Sequence, residues 1–153
     1  MSATPHPAHL DAAGNARMVD VAAKPVIARR AVAEAVVAME PTAAHAVVDG
    51  RAPKGDVAAV ARVSGLQAAK RTPDLIALCH PIALDRAVVD IAVDAEAGAV
   101  TVRAECWATA RTGVEMEALT AASVAALNVW DMVKGIDPGV RVTSLRLVEK
   151  TKG

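Results

Sequence analysis

Between Ala118 and Trp130 the chain carries no charged residue, while Glu115 and Glu117 stand just before this run and Asp131 and Lys134 just after it. The run is rich in Ala, Leu and Val, and residues 112–134 read as one helix, buried nearly all round, with its charges held at its two ends. The uncharged part is shorter than the ~20 apolar residues that a bilayer span requires, so a central helix of a soluble domain is expected. Thr112 followed by Glu115 fits a capping box, in which the threonine oxygen takes one orphan N–H and the glutamate reaches back to another. Glu117 points about 200° around the helix from Glu115 and cannot serve the same cap. From Glu117 to Asp131 the helix rises ~21 Å, so the two acidic ends cannot share one small site within a chain. Either they belong to separate features or a second subunit brings opposite ends together.

A chain of 153 residues has the size of one domain. Hydrophobic residues make up 54% of it, yet the only aromatic ones are Trp107 and Trp130. The core must then be built from Ala, Val, Leu and Ile, which favours closely packed helices on a Val-rich sheet. The lack of Phe and Tyr also argues against sheet modules that stack bases on exposed rings. A formal net charge of zero gives no electrostatic case for nucleic acid or for an anionic membrane. Cys79 and Cys106 lie among apolar residues rather than in a spaced framework. With no signal peptide evident in residues 1–17, they read as reduced thiols of a cytoplasmic protein. Cys79-His80 has no second cluster at ligand spacing, so no protein-held metal is expected.

Residues 1–17, with Pro5, Pro7 and Gly14, lack periodicity and are expected to form a flexible arm in which His6 and His9 are idle; residues 18–153 form the single domain. Val-rich residues 26–39 are predicted as the first long strand, with helix as the rival because Ala is abundant. A short helix over residues 41–48 follows, ended by Gly50, with His45 on its surface. Pro53-Lys54-Gly55-Asp56 is a turn into a second helix over residues 57–71, whose apolar positions are taken to be Val57, Val60, Val63 and Ala68. Asp56 is its N-cap, and Lys70 and Arg71 complement the dipole in its last turn. Lys54 has no such structural reason. Residues 87–93 and 99–108 form a hairpin around a turn at 94–98. Residues 140–148 form the last strand, and residues 150–153 a polar tail. The order strand, helices, strand, strand, helix, strand is that of an α+β, ferredoxin-like βαββαβ sandwich, an antiparallel sheet with helices on one face.

Lys54, His80, Glu117, Asp131 and Lys134 are the polar groups without a structural excuse. Asp131 and Lys134 lie on one helix face, either as an ordinary ion pair worth ~0.2–0.5 kcal/mol or as a carboxylate that holds a lysine ready for proton transfer. His80, between Cys79 and Pro81, is held rigidly; alone it reads as a hydrogen-bonded structural residue. Lys54, Lys70, Arg111 and Lys134 together suit a polyphosphate, although no glycine-rich phosphate loop of the Walker type is present. These residues support an anionic small-molecule site without naming its substrate.

Several segments carry a resemblance. Met18-Val19-Asp20-Val21, Lys54-Gly55-Asp56, Ala68-Ala69-Lys70-Arg71-Thr72, Asp74-Leu75-Ile76, Leu78-Cys79-His80-Pro81, the run from Thr112 through Glu115-Met116-Glu117 to Thr120, and Asp131-Met132-Val133-Lys134 resemble the molybdenum cofactor biosynthesis protein C family. The similarity covers roughly residues 11–150 in order and spacing, with Glu-Met-Glu and Cys-His-Pro the most specific parts. It implies a ferredoxin-like subunit in a homo-hexamer, a trimer of dimers with sites at subunit interfaces. The implied activity is cyclic pyranopterin monophosphate synthesis, in which a cyclised dihydro-GTP derivative from a preceding radical-SAM enzyme loses pyrophosphate. No resident cofactor is implied, although Mg²⁺ can accompany the triphosphate.

Carried over residue by residue, the resemblance makes Leu78, Cys79, His80, Met116 and Glu117 substrate-binding, Asp131 the catalytic aspartate, and Lys54 and Lys134 functional lysines. Lys70, Arg71, Arg111 and Lys150 are further phosphate contacts. Two positions depart from the family pattern: Arg111 stands where a lysine is expected, and Pro53 where a histidine often precedes Lys-Gly-Asp. Arginine keeps the charge but rarely yields its proton, so position 111 suits phosphate binding. The rivals are a non-catalytic oligomeric module that binds an anionic metabolite, and a purely structural oligomer with these charges as interface ion pairs.

Overall fold

The computed structural model describes residues 9–153; residues 1–8, with His6 and the first half of the expected arm, lie outside the described residues. In residues 9–17 the Asp11 carboxylate accepts from the backbone N–H of Ala13 and Asn15, and a Leu10–Ala16 bridge closes the turn. The elements that follow are β1 (Ile27–Ala38), α1 (Pro41–Val48), α2 (Val57–Lys70), α3 (Thr72–Leu75), β2 (Arg86–Asp94), β3 (Ala99–Ala110), α4 (Glu115–Val133) and β4 (Arg141–Lys152).

The strands form one four-stranded sheet in the order β2-β3-β1-β4, with every neighbouring pair antiparallel. This is the split βαβ arrangement expected from the element order, and the stretch expected over residues 26–39 is a strand, Ile27–Ala38, rather than the rival helix. The period-two alternation decides it. Ala31, Ala33, Ala35 and Val37 of β1 stand opposite Cys106, Ala104, Val102 and Val100 of β3, and all are buried in the core. Residues of the other parity, among them Arg30, Glu34, Arg103, Glu105 and Trp107, form a polar outer face laced by the pairs Arg30–Glu105, Arg30–Glu149 and Arg146–Glu34.

Helices α2 and α4 cover the inner face, and small residues set how close they come. Gly65 of α2 is so near α4 that a Cβ there would lie 3.0 Å from the Ala121 carbonyl oxygen and 3.2 Å from the Ala125 Cβ. Ala118, Ala121, Ala122, Ala125 and Ala126 give α4 a flat buried surface against the alanine and valine face of the sheet. A core of this kind has no room for Phe or Tyr.

Four local expectations are corrected. The N-cap of α4 is Val114, with no side-chain cap, so Thr112 and Glu115 form no capping box; Glu115 instead pairs with Lys150 at 3.3 Å. The buried face of α2 is Val57, Ala61, Gly65, Ala68 and Ala69, whereas Val60 and Val63 point outward, because close contact with α4 selects the small residues. Helix α4 is not buried all round, since Leu127 is 58% exposed. Finally, residues 150–152 are no tail: they extend β4, with Lys150 opposite Ala31 in the ladder.

Candidate active site

The two ends of α4 carry separate polar constellations. At the C-terminal end, Asp131 is held between two lysines: its Oδ2 accepts from Lys54 Nζ and its Oδ1 from Lys134 Nζ, each at 2.6 Å. Lys54 comes from the turn before α2, where Gly55 takes φ +98°, a conformation costly for residues with a Cβ, and Asp56 caps the helix by accepting from the Ala59 N–H. That turn projects Lys54 across to α4. The hydrogen bond from Lys134, and then that from Lys54, hold the Asp131 carboxyl down at about 2, so it stays ionised at neutral pH. All three side chains remain roughly half exposed, so these ion pairs add little stability and the group is open to solvent.

The N-terminal end is enclosed. Glu117 is only 1% exposed, and its only side-chain partner among the described residues is the Cys79 thiol, 3.8 Å from Oε1. Its Oε2 is buried without any hydrogen-bond partner among the described residues. Burial pushes the Glu117 carboxyl up from its ordinary value. Burial, with the Glu117 charge nearby, likewise pushes the Cys79 thiol up to about 11 and the Cys106 thiol up to about 12. An orphaned carboxylate oxygen in such a place is what a donor-rich ligand would satisfy.

Around this end lie adjoining clefts. His80 Nε2 donates to the Val19 carbonyl at 2.7 Å, since a carbonyl oxygen can only accept, and this contact ties the chain before β1 to the Cys-His-Pro junction. His80, Arg111 and Thr112 line a cleft of about 260 Å³. A second cleft, of about 480 Å³, shares Ile82 and Ala83 with it and is bordered by Lys70 and Arg86. A third, of about 240 Å³, is walled by Arg29, Arg30, Glu115 and Lys150. Leu78 is half-buried beside Cys79, and Met116 is exposed next to Glu117. Arg71 lies away from these, beside Asn128 on the outward side of α2 and α4, 3.9 Å from Asp74.

The structure thus joins Lys54, Asp131 and Lys134 in one cluster, and Cys79 and Glu117 in another. Lys70 and Arg111 border clefts rather than joining the lysine cluster in a single chain. Arg29, which walls the third cleft, has no sequence signal beyond the arginine pair Arg29-Arg30 at the start of a strand.

The family model of MoaC matches residues 18–153. The chain belongs to the MoaC family. A relative from Rhodospirillum rubrum, named cyclic pyranopterin monophosphate synthase, is 50% identical over 145 residues, which is 95% of this chain and 87% of the relative. The match to MoaC runs through every segment that carries the constellations above, from Val19 to Lys150. Among the described residues no helix is long and apolar enough to cross a membrane, and no group of His, Cys, Asp and Glu forms a metal-binding cluster.

Proposed function

We propose that this chain is a cyclic pyranopterin monophosphate synthase of molybdenum cofactor biosynthesis. It takes a cyclised dihydro-GTP derivative and releases pyrophosphate, as a phosphorus–oxygen lyase. The observation that carries the reading is the Lys54–Asp131–Lys134 cluster, present in a chain half identical to a protein of that name.

The chemistry requires ring opening and reclosure, then attack of a ribose-derived hydroxyl on the α-phosphorus. In that step the new O–P bond forms, the bond from the α-phosphorus to its bridging oxygen breaks, the hydroxyl proton goes to a base and pyrophosphate leaves. Asp131 stays ionised and anchors both lysines as ammonium groups, which places them to donate a proton to the reacting atoms or to the leaving pyrophosphate. Lys134 is assigned the general acid–base role and Lys54 a second proton transfer or a phosphate contact. His80 and Glu117 position the rings, with the unpartnered Glu117 oxygen taking a ring N–H. Leu78, Cys79 and Met116 complete that wall, and Lys70, Arg111 and Lys150 meet the negative phosphates; Arg71, apart from these clefts within one chain, is available only to a site shared between copies.

A homo-hexamer, a trimer of dimers, accounts for the geometry that one chain leaves unresolved. The ends of α4 are ~21 Å apart along its axis, and only a second copy brings one end near the other. Leu127, Val60, Val63, Leu145 and Leu147 remain exposed in one chain, an apolar surface suited to contact between copies. The protein works in the cytoplasm, without nucleic acid or membrane.

Incubation of the purified protein with the cyclised dihydro-GTP derivative tests this. Pyrophosphate and the cyclic phosphate product are expected in equal amounts; a metabolite-binding module would retain the compound and release no pyrophosphate.

A further inference from the structure

Trp130 is an anomaly in a chain that builds its core without Phe or Tyr. It sits in the last turn of α4, only half-buried, directly before Asp131. An apolar filler at such a place would need no polar partner, yet the indole has two specific ones. Its Nε1–H donates to the Val140 carbonyl at 2.7 Å, across the turn that leads into β4. Over its ring lies the ammonium of Lys134, 5.6 Å from the centroid. The turn that holds Val140 is itself fixed: the buried Asp137 carboxylate accepts from the Gly139 N–H and from the Glu40 N–H, both at 2.8 Å.

This gives the Lys134 ammonium a defined setting. Asp131, from its own helix, holds it on one side at 2.6 Å, Lys54 from the turn before α2 shares that carboxylate, and the indole face lies along another side. A lysine at a helix end has a flexible stem and about half its surface in water, so one ion pair leaves it many rotamers. An indole face attracts the cation and removes part of that freedom. The ring, in turn, is oriented by its N–H bond to a clamped turn.

We infer that Trp130 is a positioning residue for Lys134: its ring holds the ammonium against Asp131, and its Nε1–H bond to Val140 fixes the ring. The inference rests on the synthase reading only for its consequence in turnover.

The test is trace acylation of the full-length protein with acetic anhydride, read peptide by peptide by mass spectrometry, in wild type, Trp130→Phe and Trp130→Leu. The ring shields the amine, so in Trp130→Leu the Lys134 amine is expected to label about two- to fivefold faster, the factor corresponding to a surface cation–π contact. Lys70 and Lys150 are expected to label at the wild-type rate. Trp130→Phe, which keeps a ring face but loses the Nε1–H bond to Val140, is expected to label Lys134 at a rate between those of wild type and Trp130→Leu, and Trp130→Met replaces Trp130→Leu should the latter fail to fold. In turnover of the cyclised dihydro-GTP derivative, Trp130→Leu is expected to lower kcat by a similar factor at unchanged KM, with Trp130→Phe restoring part of it. Wild-type labelling of Lys134 in Trp130→Leu overturns the inference, and so does equal acceleration in Trp130→Phe. Labelling does not depend on the reaction, so absence of turnover in the wild type would overturn the synthase reading while leaving the labelling contrast standing.

Discussion

Replacing Glu117 by Met should make the protein more stable and inactive. The Glu117 carboxyl is 1% exposed, its Oε1 has only a thiol at 3.8 Å, and its Oε2 has no partner among the described residues. A thiol is a weak donor, so the desolvation of this group is hardly offset. An unbranched apolar side chain of similar length in the same place is expected to raise the unfolding free energy near neutral pH by about 1–3 kcal/mol. For a chain of this size each kcal/mol moves Tm by about 2–4 °C. The sign of the pH dependence follows from the raised carboxyl. Below its ordinary value of 4.5 the group is protonated in both states. As pH rises past that value the unfolded chain ionises first, the native state binds the extra proton, and wild-type stability declines until the native carboxyl also ionises. The Met variant lacks this term, so its advantage over wild type should widen as pH rises past 4.5 and level off once the native carboxyl ionises. Thermal unfolding of both proteins across that range is the assay, with turnover measured beside it. A Tm below wild type near neutrality, or an advantage that does not grow with pH, would refute the reasoning.

Asp131→Asn is expected to lose most turnover while its unfolding temperature stays near wild type, because the group is half exposed and its lysine contacts are screened by water; activity and thermal melts check both halves. With Cys79 pushed up to about 11 and Cys106 up to about 12, native thiols should alkylate slowly with iodoacetamide at neutral pH, and both should react once the chain is unfolded. Gly98→Ala should destabilise by about 2 kcal/mol or more, since Gly98 has φ +63° and an added Cβ would collide with the Met39 carbonyl; denaturant unfolding measures it. Gly65→Ala should cost about 1–3 kcal/mol in the same assay by prising α2 from α4.

The order of elements and the single-sided sheet were legible because period-two and helical patterns are local, and Gly, Pro and Asp56 mark the joins. Asp131 and Lys134 were legible as a pair for the same reason, being three apart on one helix. Lys54 was not assignable to them from spacing: 77 positions separate it from Asp131, and only the fold closes that gap. The Thr112–Glu115 cap failed because a tertiary partner, Lys150 on β4, competes for the same carboxylate. The outward placement of Val60 and Val63 was hidden as well. Hydrophobicity alone ranks valine above glycine for burial, whereas the tight approach of α2 to α4 selects Gly65. The burial of Glu117 was only half legible: its place about 200° around the helix from Glu115 set it apart, but only the packed fold shows that this side faces the core.

The central claim is that the lysines anchored by Asp131 carry the chemistry. Replacing Lys134 by Ala and following pyrophosphate release from the cyclised dihydro-GTP derivative, with the native mass of the assembly recorded on the same sample, tests it most directly. The expected result is no product from an assembly of unchanged mass; near-normal turnover would contradict the claim.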